Sequence, residues 1–280
     1  MRTLTVLAAA SLALFAPPAI AAEAATKAAP PTKETIAAMQ AALAHARRDG
    51  DRARDAFRHP AETLEFFKVD PGMTVIDYMP SSGWYTRVLV PFLGKDGRYI
   101  GLNPALGPGA SEGLVRYFGG LKEKFPVAAA KWNLSGAPVE AFNTDEVGED
   151  HKGTVDRVLI FREIHNLHRR DFMRPELARL RELLKDDGLL GVVQHRAKAD
   201  APAAYANGDK GYMREKDVIA LFEVNGFELV AASEINANPK DGADYPMGVW
   251  ELAPVSRTKR DELKPIGESD RMTLLFRKRP

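Results

Sequence analysis

The stretch Thr74-Val75-Ile76-Asp77-Tyr78-Met79-Pro80-Ser81-Ser82-Gly83-Trp84-Tyr85-Thr86 runs from apolar residues through a turn of small residues into a helical segment. Val75 and Ile76, closed by Asp77, have the character of a parallel strand buried on both faces. Pro80, Ser81, Ser82 and Gly83 let the backbone approach a ligand at the N-terminus of a helix that the sequence starts near Trp84. This order suits a nucleotide-cofactor fold, and it is also that of an ordinary strand-to-helix connection. A dinucleotide fingerprint is absent, because Met79 and Ser81 stand where two of its glycines would fall.

Outward from this segment, strands and helices alternate from Asp70 to the C-terminus. Apolar runs predict strands over 74–78, 98–102, 138–142, 155–161, 189–194, 227–232 and 272–277. Helical spacing fills 84–93, 114–125, 175–184 and 214–224 between them. The reading is an α/β fold with a doubly wound, mostly parallel, seven-stranded sheet. Two helices precede it, one carrying Ile36, Met39 and Leu43, the other starting at Pro60 and burying Leu64 and Phe67. The polar, Pro-, Gly- and Asn-rich segment 233–270 is too long for an idle loop and reads as an excursion over a site.

Arg2, the apolar stretch Leu4 to Phe15 and Ala19-Ile20-Ala21 read as a signal peptide over 1–21, followed by a flexible leader over 22–32 and a single domain over 33–280. The expected compartment is the periplasm or the medium, with no stable membrane insertion after cleavage. With no cysteine in the chain, disulfides, thiol nucleophiles and thiolate metal sites are excluded. A formal charge of +1, with basic residues spread along 280 positions, argues against a nucleic-acid binder.

Val75 to Thr86 resembles the first motif of the seven-stranded, S-adenosylmethionine-dependent methyltransferases, with Gly83 as its remaining glycine. More closely, the chain resembles a family of exported bacterial proteins named as predicted methyltransferases, whose Pro-small-Gly-Gly-Trp-Tyr-Thr stretch is matched by Pro80 to Thr86. The resemblance continues at Arg162 to His168, Gly191 to Arg196, Asn236 to Asp241, Tyr245 to Trp250 and Ile266 to Met272. It implies a class I methyltransferase fold whose last strand is antiparallel, and S-adenosylmethionine as cofactor. The cofactor residues it implies are Asp77, Pro80, Ser81, Ser82, Gly83, Trp84 and Asn103, the last standing where the family usually has a ribose-binding acid. The substrate would be a small molecule or an envelope component.

Beyond the carboxyl ends of the fourth and fifth strands lie Glu163, His165 and His195, the candidates for acid–base chemistry. Histidine suits that work through an ordinary pKa near ~6.5. His165, His168 and His195 also have spacing open to a metal-dependent hydrolase, and histidines bonded within the rim of the fold are the bland alternative. Glu163 is free to pair with Arg162 or Arg196 as a structural ion pair. S-adenosylmethionine is made in the cytosol, so export favours a rival reading: a non-catalytic binding protein on the same scaffold.

Overall fold

A computed structural model describes residues 30–280, and Thr32–Pro280 form one compact unit. The signal peptide and all but the end of the leader read from the sequence lie outside the described residues. Three helices come first: α1 (Lys33–Ala44), α2 (Asp55–Arg58) and α3 (Pro60–Phe66). The alternating part continues with β1 (Thr74–Tyr78), α4 (Thr86–Leu93), β2 (Arg98–Asn103), α5 (Glu112–Phe118), α6 (Leu121–Ala130) and β3 (Val139–Asn143). Then follow β4 (Val155–Phe161), α7 (Ile164–His168), α8 (Met173–Leu183), β5 (Leu184–His195), α9 (Glu215–Glu223), β6 (Phe227–Ser233) and β7 (Arg271–Lys278).

The seven strands form one sheet in the order β3-β2-β1-β4-β5-β7-β6. β1 pairs parallel with both β2 and β4, whereas β7 runs antiparallel between β5 and β6. This is the class I methyltransferase fold. Its connections reverse direction between β1 and β4, the topological switch point at which doubly wound sheets bind ligands.

Apolar residues on both faces make β1, β4 and β5 the centre of two cores. One packs Ile76, Ile100, Val158, Val192 and Leu274 against Leu177 and Leu180 of α8, and the other packs Val75, Leu159 and Leu275 against α4 and α3. α3 docks closely because Gly191 on β5 lacks a side chain: a Cβ there would lie 2.6 Å from the ring of Phe67. The expected single helix over 114–125 is instead two, α5 and α6, broken at Gly119 and Gly120. Segment 233–270 does run between β6 and β7. It packs with residues 197–213 in a separate apolar cluster around Tyr212, Tyr245, Val249 and Leu252, so the excursion is built together with the β5–α9 connection.

The N-terminal helices are fastened by charge as well as by packing. Glu268, 2% exposed, accepts hydrogen bonds from Arg54 Nε at 2.6 Å, from Arg58 Nε at 3.1 Å and from Arg271 Nη2. Arg271 also donates to the carbonyl of Phe57 at 2.9 Å. Removing one partner from such a buried ionic group leaves uncompensated charge and costs about 3–5 kcal/mol. Glu268→Gln is therefore expected to lower stability by about 3 kcal/mol or more in urea unfolding, and an unchanged midpoint would show that these guanidiniums do not need the carboxylate.

Candidate functional site

At the switch point the ends of β1 and β4 bound a cleft of about 190 Å³. It is lined by Asp77, Met79, Pro80, Ser81, Ser82, Trp84 and Tyr85 at and after the end of β1, by Phe161, Arg162 and Glu163 at the end of β4, and by Arg54 and Arg58 from the N-terminal helices.

Asp77 ends β1 pointing into a buried network. Its Oδ2 accepts from Tyr99 Oη at 2.9 Å and lies 3.5 Å from Thr86 Oγ1, while those two hydroxyls are 2.7 Å apart. Burial raises its pKa to about 7, outweighing the lowering effects of the Tyr99 hydrogen bond and of the Arg162 charge. The turn beyond it keeps the backbone of a glycine-rich loop without the glycines: Met79 (φ 57°), Ser81 (φ 52°) and Gly83 (φ 74°) are all left-handed. For the two non-glycine residues this costs of the order of 1–2 kcal/mol each, a strain of the kind held at ligand sites.

Gly83 itself turns away from the cleft. A Cβ there would lie 2.1 Å from the ring of Trp132, so the missing side chain serves packing, and Gly83 is not among the residues lining the cleft. Asn103 is likewise committed elsewhere: its Nδ2 donates to the carbonyl of Phe118 at 2.9 Å, beside Asn143, which bonds the carbonyls of Phe118 and Pro104. It does not line the cleft. Trp84, expected to open a helix, precedes it, because α4 starts at Thr86. Its ring lies between the guanidiniums of Arg48 and Arg58, at 5.1 and 4.6 Å.

Glu163 caps the approach to α7 and accepts from Asn166 Nδ2 at 2.6 Å. Burial raises its pKa to about 7. The ion pairs expected for it do not form: Arg196 instead binds Glu215, Glu234 and Asp270, and Arg162 has no salt-bridge partner among the described residues.

The two histidines stand apart from the cleft, in a buried aromatic group. Their rings are 5.7 Å apart, with Trp250 6.1 Å from His165 and Tyr212 6.3 Å from His195. His165 Nδ1 faces the Gln194 amide, and His195 Nδ1 lies 2.6 Å from Ser269 Oγ. Burial pushes the pKa of His165 down to about 4 and that of His195 well below its usual value, so both rings are neutral at physiological pH. Of the three groups expected to do acid–base chemistry, Glu163 reaches the cleft and the histidines do not. Among the described residues no cluster of three or more His, Asp or Glu side chains is arranged to hold a metal.

Arg54 and Arg58 went unnoticed as site residues in the sequence. The signal available was the Arg52, Arg54, Arg58 run just ahead of a helix, which composition alone does not distinguish from a solvated face.

No protein-family model matches the chain, and no match was found among curated proteins. Among solved structures it is similar to the [4+2]-cyclase SpnF, at 14% identity over 79% of this chain and 81% of that one, with a TM-score of 0.52. It is also similar to a SAM-dependent methyltransferase from Aquifex aeolicus (20% identity, 66% and 88% covered, TM-score 0.49). A third is the 1,6-didemethyltoxoflavin-N1-methyltransferase of Burkholderia thailandensis, solved with 1,6-didemethyltoxoflavin and S-adenosylhomocysteine (17% identity, 90% and 93% covered, TM-score 0.48). At these identities the likeness is one of fold alone.

The pKa of Asp77 carries a stability consequence. A carboxyl group raised from 3.8 to about 7 on folding contributes stability that is complete below pH 4 and is lost as pH rises through 7. Asp77→Asn lacks that titration. Relative to the native protein, the variant should gain a few kcal/mol between pH 5 and pH 8 in chemical unfolding, and a pH-independent difference would refute the assignment.

Proposed function

We propose that the protein is an S-adenosylmethionine-dependent methyltransferase, exported from the cytoplasm, that acts on a small molecule or envelope component. The observation that carries this reading is the cleft at the β1/β4 switch point of a methyltransferase-fold sheet, with one carboxyl group of pKa about 7 on each side. The donor set fits the cationic end of the cofactor: Asp77, with the Ser81-Ser82 turn, would hold the methionyl ammonium. At the β2 end no acid is offered to the ribose, and the Asn103 amide is engaged. When bound, the cofactor supplies an activated methyl group. The chain's own contribution is positioning, the main requirement of an in-line transfer. Glu163 takes the proton of an acceptor that must lose one, and its pKa near neutrality suits a general base.

A second reading, a binding protein without catalysis on this scaffold, is favoured by the engaged Asn103 and by Trp132 packed on Gly83.

Calorimetric titration with S-adenosylmethionine and S-adenosylhomocysteine separates the two. The first reading expects single-site binding of both, weakened about tenfold by Asp77→Asn, in line with loss of one hydrogen bond to a charged group. Absence of binding by the folded native protein would reject it in favour of the second. N-terminal sequencing of protein from fractionated cells tests export: the expected start is near Ala22, and uncleaved protein in the cytosol would defeat that part.

A further inference from the structure

From the arginines of the cleft we infer that it holds the phosphate group of a phosphorylated acceptor, gripped by Arg54, Arg58 and Arg162. The inference rests on the proposed methyltransferase reading, with the methionyl end at Asp77 and the Ser81-Ser82 turn and the acceptor meeting it on the arginine side of the same cleft.

Arg54 and Arg58 enter from the N-terminal helices, and Arg162 from the end of β4. Arg54 and Arg58 share the single carboxylate of Glu268 with Arg271. Arg162 has neither an ion pair nor a side-chain hydrogen bond among the described residues, although it is half-buried in the cleft wall. Its backbone is left-handed (φ 64°), fixed by the donation of its N–H to the carbonyl of Val193 at 2.6 Å. A guanidinium without a protein partner, on a strained backbone at the lining of a cleft, is a group prepared for a ligand.

The surroundings agree. Burial, then the charge of Arg271, lowers the pKa of Arg162 to about 10, although Glu268 acts in the opposite direction. The indole N–H of Trp84, another residue of the lining, also has no acceptor. Burial raises the pKa of Asp77 and of Glu163 to about 7, so near neutrality they oppose an anion less than two ordinary carboxylates would.

Charge and size select the group. Several forked guanidinium donors, from separate parts of the chain, suit a tetrahedral dianion with several acceptor oxygens better than a planar monoanion with two. At about 190 Å³ the cleft is smaller than the roughly 300–1,000 Å³ that encloses a whole drug-sized ligand, and it suits one headgroup. The cofactor's methionyl end brings one planar carboxylate, with two acceptor oxygens, beside its ammonium, so three guanidiniums on the cleft leave donors over that a phosphate on the acceptor would take.

The test titrates the purified protein with glycerol 3-phosphate, inorganic phosphate and acetate at low ionic strength, with S-adenosylhomocysteine in parallel. Glycerol 3-phosphate should bind at one site, inorganic phosphate no more tightly, and acetate at least tenfold more weakly. Arg162→Ala should weaken phosphate-ester binding tenfold or more while changing S-adenosylhomocysteine affinity less than twofold. Arg162→Lys, which keeps the charge and loses the fork, provides the comparison should the alanine variant not fold, and an intermediate loss is expected. Inorganic phosphate binding more tightly than the ester would mean that the site takes the free ion, and this overturns the acceptor assignment. No ester binding, equal binding of acetate, or indifference to both Arg162 variants would overturn the inference outright. Arginine-dependent ester binding without S-adenosylhomocysteine binding keeps the phosphate site and removes the methyltransferase reading; the reverse result removes the phosphate site alone.

Discussion

One carboxylate holds three guanidiniums, and the placement of the cleft depends on it. Glu268 stands just before β7 and gathers Arg54, Arg58 and Arg271, so the segment joining α1 to α3 is drawn against the start of the last strand. Without that convergence Arg54 and Arg58 would have no reason to leave solvent, since long basic side chains normally keep their charge in water. Arg58 is further fixed by the face of Trp84, which is itself covered by Arg48. The part of the cleft lined by Arg54 and Arg58 is thus made by charge pairing on a rigid aromatic, with little contribution from the sheet.

The chemical character of the site is set by burial more than by pairing. Asp77, Glu163, His165 and His195 all shift toward their neutral forms, the carboxyl groups upward and the imidazoles downward. The arginines stay charged, so the cleft is more positive than the near-zero charge of the whole chain suggests. A sequence-level charge count averages over surface pairs such as Arg98 with Glu140 and Lys185 with Asp156, which cancel locally and say nothing about a desolvated corner.

The fold was legible because its central strands are written as apolar runs, and the 74–86 stretch located the switch point. Local pattern also placed Asp77, Ser81 and Glu163, since strand ends follow from strand positions. It failed for Asn103: the position is at a strand end as read, but the side chain's partner is a carbonyl on α5, and that helix lies where it does because Gly119 and Gly120 break a run that reads as continuous. It failed for the histidines because neutrality is a property of the cover above them, built jointly by 197–213 and 241–266, and neither piece has an apolar period that announces it. Arg54 and Arg58 depend on a partner far along the chain, which no local window reports.

The position of β7 orders the events of folding. β5 and β6 have no direct pairing; each bonds to β7, which follows the other six strands of the sheet in the chain. Arg54 waits for a carboxylate 214 residues further on. A chain that is still emerging, or one shortened at its C-terminus, therefore lacks both the completed sheet edge and the arginine wall. Contacts of such long range are slow to form, and they leave a strand edge open until they do. The cleft is consequently a late product of folding, and a chain without Glu268 and β7 cannot assemble it.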